Sequence, residues 1–195
     1  AEDLFRSARP QEAAALLDQP EGPFRRAFIQ GKPVDLLWTG SMLAAEAHLG
    51  AGNWSRAREV VVAATLFAQT PEAQWDRLRL EVRILEAGRQ TEQAIAAAEQ
   101  LRRIADADGL VARRPESSAL LGRLLLAAGQ GARAVARLEE NLAPAVPAAF
   151  RSDAIRNLSD WWVSQGQLAL ARERLEGVVT GLADDASVAA LRLRL

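Results

Sequence analysis

An alanine returns at positions 57, 94, 134 and 171, at steps of 37, 40 and 37. Around it the strings "AGNWSRAREVVVAA", "AGRQTEQAIAAAEQL", "AGQGARAVARLEENL" and "QGQLALARERLEGVV" line up. Each has a small or polar turn, then a position favouring an apolar or aromatic residue, then the alanine three residues on. Trp38 and Trp75 also recur at 37, as do Gly129 and Gly166. A shared step of this kind constrains the fold more than any single motif does. The same supersecondary unit must recur, and because one unit cannot bury its own apolar face, neighbours must stack.

The unit is helical. Ala, Leu, Arg, Glu and Gln dominate, β-branched residues are sparse, and apolar positions fall at helical spacing almost throughout. This spacing predicts helices at about 35–50, 54–69, 72–88, 90–107, 115–128, 131–143, 148–165 and 168–182, with short ones at about 2–7 and 11–18. "QTPEAQW" puts Pro71 where it suits a first helical turn, and "LAPAVPAAF" reads as a true loop. No stretch alternates with period two for long enough to make a strand. Helices joined by such short turns form antiparallel hairpins. In the third hairpin Gly129 is expected to end the first helix in the left-handed conformation. Ala134 is expected where the second helix crosses the first closely, with Leu138 on the same face filling the core.

The pattern resembles the tetratricopeptide repeat (TPR). That family has Leu-Gly and an aromatic in helix A, then Gly, an aromatic and Ala at the turn into helix B. Here the first unit has His48, Gly52, Trp54 and Ala57. The second has Leu85, Gly88 one position early, Thr91 and Ala94. The third has Leu121, Gly122, Leu125, Gly129 and Ala134, and the fourth Leu158, Trp162, Gly166, Leu168 and Ala171. Residues 1–18 look like the end of an earlier unit, with Ala13 in the alanine position. Residues 19–34 read as an irregular connection, 35–182 as about four hairpins and 183–195 as the start of a further helix. The resemblance implies one all-α domain, a right-handed superhelix of hairpins. The step exceeds the usual family value of about 34, so some helices or loops are longer. Such steps with proline joints are similar to TPR proteins of bacterial envelope assembly, and also to helical-repeat domains of large bacterial regulators. The envelope, and with it the periplasm rather than the cytoplasm, is the preferred setting. A chain that begins with Ala1 fits a signal-cleaved protein and a piece of a longer one equally.

The resemblance also implies which positions face a ligand. These are Thr39, Met42, Glu46 and Leu49; Asp76, Arg79, Arg83 and Glu86; Glu116, Ala119, Arg123 and Leu126; and Asp153, Arg156, Asp160 and Val163. Arg79 and Arg83 are four apart and share a helix face. Arg123 and Arg156 are expected on the same wall in neighbouring units. The candidate peptide-binding residues are Arg79, Arg83, Arg123, Arg156, Asn157, Glu46 and Asp160, with the arginines gripping an acidic side chain or terminal carboxylate of a peptide or partner protein. The alternative is that the arginines pair with Asp76, Glu86, Glu116, Asp153 and Asp160 on a solvated surface.

No residue announces a reaction, so the chain reads as a non-enzymatic interaction scaffold without a cofactor. The alternatives are the sensor or oligomerisation domain of a regulator, or a helical domain attached to an enzyme. Cysteine is absent and His48 is the only histidine, which disfavours a zinc site, and His48 stands at a core position. Glu139–Glu140 and Asp184–Asp185 are adjacent pairs that point to different sides of a helix. Trp162 takes the inner position, and Trp161 the groove or a neighbouring helix. The 24 basic and 25 acidic residues leave a net charge of -1, so no general field attracts nucleic acid. No apolar run approaches a membrane span. End hairpins of such an array expose apolar faces unless capped, which leaves self-association open.

Overall fold

The structure is a computed structural model. It describes residues 2–3, 7–22, 24, 26, 29–30, 34–107 and 109–181. Its helices, numbered in chain order, are α1 (Pro10–Leu17), α2 (Val34–Gly50), α3 (Trp54–Ala63), α4 (Pro71–Ala87), α5 (Thr91–Ala107), α6 (Arg114–Ala127), α7 (Gly131–Glu139), α8 (Ala148–Ser164) and α9 (Leu168–Gly181). No strand occurs among the described residues. The helix start expected at 183–195, with Asp184 and Asp185, lies outside the described residues, and so does most of the helix expected at about 2–7. Within 19–34, expected to be irregular, Phe24, Arg26 and Ile29 are helical, and the N–H of Gln30 donates to Arg26 O at 2.9 Å.

The turns repeat their hydrogen bonds in register. The N–H groups of Asn53, Gln90, Gln130 and Gln167 donate to the carbonyls of His48, Leu85, Leu125 and Trp162 at 2.8, 2.9, 2.8 and 2.9 Å. This six-to-one bond satisfies a carbonyl that the end of helix A would otherwise leave without a partner. It requires a left-handed residue just before the donor. Gly129 supplies it in the third hairpin, at φ 72°, but in the second the residue is Arg89, at φ 55°. Gly88, one position early, serves a different need: a Cβ there would stand 2.8 Å from the indole of Trp54. The second repeat thus uses its glycine for packing and leaves the turn strained. Arg89→Gly is expected to raise stability by up to about 1 kcal/mol, since relief of the left-handed strain outweighs the added freedom of the unfolded chain. A urea melt of the variant checks this, and a lower midpoint would count against it.

Two α-helices end earlier than periodicity predicts. α3 gives way to a 3-10 turn at Ala64–Phe67, and α7 to one at Glu140–Leu142. A proline follows each, and the residue before it is extended, Thr70 at ψ 156° and Ala143 at ψ 140°, as the proline ring demands of its predecessor. Thr70 also caps α4, its Oγ1 accepting from the Ala73 N–H at 3.2 Å.

The chain forms two compact units, one to Ile104 and one from Ala105. In the first, α1 packs on α2, α2 on α3, and both α2 and α3 on α4. Ala45, Ala57, Val61, Leu80 and Ile84 form its buried cluster, flanked by Met42, Leu49, Trp54 and Val60. In the second unit α6 packs on α7, and α8 contacts α6, α7 and α9. Its cluster is Leu138, Ala154, Leu158, Trp162 and Ala171. The recurring alanines Ala13, Ala57, Ala94, Ala134 and Ala171 are all buried. Gly122 faces the second helix of its hairpin so closely that a Cβ would lie 2.6 Å from Leu138 Cγ.

Buried polar groups in the second unit hold its loops. Asn141 Nδ2 donates to Pro115 O at 2.8 Å, and Ser118 Oγ to Glu140 Oε2 at 2.8 Å. Arg151 is buried and donates to Pro144 O at 2.8 Å and to Val146 O. It thereby fixes the proline loop ahead of α8.

Candidate functional site

In the first unit a groove of about 570 Å³ runs between α2 and α4, within the size range of ligand pockets. Helix periodicity builds both walls. Trp38, Thr39, Met42, Leu43 and Glu46 lie along α2, and Asp76, Arg79, Leu80 and Arg83 along α4. Six of these, Thr39, Met42, Glu46, Asp76, Arg79 and Arg83, are among the positions the repeat pattern assigns to a ligand-facing surface. Leu49 and Glu86 do not line it.

The two arginines are held differently. The Arg79 guanidinium lies 5.9 Å from the ring centroid of Trp75, a cation–π arrangement over a side chain that is itself fully buried. Arg83 Nη1 reaches across the groove to Glu46 Oε1 at 3.5 Å. With the Arg83 and Glu46 side chains 49% and 36% exposed, the pair is wet and long, and a stronger anion can compete with Glu46 for Arg83. The lining carries Glu2, Glu46 and Asp76 against Arg79 and Arg83, above apolar side chains of Trp38, Met42, Leu43 and Leu80. Such a surface can hold an extended or helical segment by an apolar side chain and hydrogen-bond its acid to a guanidinium.

The remaining candidates lie in the second unit. Arg123 of α6 and Arg156 of α8 are exposed on helices that pack together. Arg156 Nη2 pairs with Asp153 Oδ1 at 2.5 Å, one turn away on its own helix. Asn157 is half-buried and donates to Asp153 O at 2.7 Å, so its amide serves the helix backbone here. Asp160 is exposed on α8. His48 is buried, with Nε2 3.3 Å from Asp18 Oδ2 but without hydrogen-bond alignment, as befits a packing side chain. Glu140 accepts from Ser118 and, at 2.7 Å, from Arg137. Trp162 is buried, and Trp161 is half-buried against Gly131. Among the described residues no group of three or more His, Cys, Asp or Glu could hold a metal, and no helix is long and apolar enough to cross a membrane.

Sequence reasoning did not assign Trp38, Leu43, Leu80 or Glu2 to the groove. The first three neighbour assigned positions on the same helices, and a wider face would have included them. Glu2 belongs to neither wall, and no spacing points to it.

No protein-family model matches the sequence, and no curated protein matches it. Two solved structures are similar over nearly the whole chain. Both are Podosopora anserina kinesin light chain-like proteins with nearly identical TPR-like repeats. One, a point variant, is 20% identical with a TM-score of 0.71, covering 100% of this chain and 93% of its own. The other is 21% identical with a TM-score of 0.70, covering 92% of this chain and 90% of its own. At such identity the likeness speaks for the fold alone. The chain has the TPR-like fold, all-α and built from antiparallel helix hairpins in tandem.

Proposed function

We propose that this chain is a non-enzymatic protein-interaction module that holds a carboxylate-bearing peptide segment in the groove between α2 and α4. The TPR-like fold generally mediates protein–protein interaction, and stacked hairpins provide extended binding surfaces. The observation that carries the reading is the meeting of Arg79 and Arg83 with an apolar floor in one groove. Arg83 is engaged there by a long, wet pair that a ligand acid can replace. Arg123 and Arg156 extend the proposal to the second unit as a further acid-binding pair. The setting in the bacterial cell envelope belongs to the same proposal. It rests on the long repeat step and the proline joints, and cell fractionation tests it.

A peptide array tests the binding mode. Peptides with a free terminal carboxylate or an acidic side chain are compared with amidated and neutral counterparts, on the intact chain and on Arg79→Ala/Arg83→Ala. Two lost charge-assisted contacts, each worth about 1.5 kcal/mol or more, should weaken the acidic peptides about a hundredfold or more. Unchanged affinity in the double variant would remove the proposal.

A further inference from the structure

Among the described residues, one side chain lining the groove comes from outside α2 and α4. It is Glu2, from the residues that precede α1. Its carboxylate is of the class that guanidinium groups recognise, and it shares the groove with Arg79 and Arg83.

We infer that the Glu2 carboxylate is an intramolecular occupant of the groove, in the place of a partner's acid, so that a partner must displace it. The inference rests on the groove being the peptide site. Tethering makes such an occupant effective even when its contacts are weak, because a short link holds it at roughly millimolar local concentration. A partner's apparent affinity then falls in proportion to the fraction of chains whose groove is open. Exposure of Glu2 keeps the occupant easily released. Glu2 therefore sets a threshold: strong acidic ligands enter and weak ones are excluded.

The test uses the full chain and a fluorescently labelled peptide, AEDLFRSA, added in trans. Binding is read by anisotropy for the intact chain, for Glu2→Ala and for Glu2→Ala/Arg83→Ala. Glu2→Ala should bind the probe about 3- to 10-fold more tightly than the intact chain, the effect of removing one competing charge-assisted contact. Adding Arg83→Ala should abolish the gain. Glu2 is exposed, and a thermal melt verifies that its replacement leaves the fold intact. Equal affinity in the intact and Glu2→Ala chains overturns the inference. No probe binding to any of the chains overturns it as well. In both cases the groove reading stands or falls separately, on whether acidic peptides of the array need Arg79 and Arg83.

Discussion

Gly131→Ala is expected to destabilise the second unit by about 3 kcal/mol, the upper part of the usual range for overpacking. The added Cβ would stand 1.8 Å from Cζ2 of Trp161 and 2.3 Å from Cη2, so the indole must leave its seat. The reason for the glycine lies in the repeat. The other hairpins carry Trp54, Thr91 and Leu168 at this position. In the third hairpin the side chain is missing, and the Trp161 ring from α8 lies against the backbone there. The aromatic that one hairpin lacks is supplied by the next. A double-mutant cycle with Trp161→Leu tests this exchange. Each single change should cost stability in denaturant melts, but together they should cost at least about 1 kcal/mol less than their sum, because the methyl added at position 131 no longer meets a ring. Strict additivity would show that the two positions are not coupled.

Trp75→Ala is expected to cost the first unit about 3–5 kcal/mol, the usual range for emptying a fully buried aromatic site. Trp75 is 0% exposed. A loss of that size is a large share of the stability of an ordinary domain. Trp38, at the same repeat position but half-buried, should cost clearly less on replacement by alanine. Trp75 also lies beneath Arg79, so its loss should loosen one wall of the groove. Equal melting points for the two alanine variants would contradict the ordering.

The hairpins were legible because their signals are local and periodic. Turn residues, the alanine and the apolar face each act within a few residues, and their common step links them. The helix ends were less legible where two local rules compete. Helical spacing continues through Ala64–Phe67 and Glu140–Leu142, but there the backbone tightens to 3-10 turns, and the prolines downstream hold Thr70 and Ala143 extended. Arg89 was hidden for a related reason. The pattern offers Gly88 as the turn glycine, and only the Trp54 contact shows that it is used for packing. For the groove, residue type and face were readable for Arg79, Arg83, Glu46 and Asp76, because repeat position fixes direction on a helix. Glu2 could not be read, since its approach depends on a path of the chain that no periodicity encodes. Nor did spacing foretell that Asn157 turns to its own helix: a side-chain amide chooses among nearby acceptors, and Asp153 O is within reach.

The most direct test of the account is to map where an acidic peptide lands. Backbone amide shifts of the isotopically labelled chain would be followed while an acidic peptide selected on the array is titrated in. The account predicts that the largest changes fall on α2 and α4, around Thr39, Met42, Glu46, Asp76, Arg79 and Arg83, and that an amidated, neutral version of the same peptide leaves them still. Changes centred on α3 and α5, with the groove residues undisturbed, would contradict it.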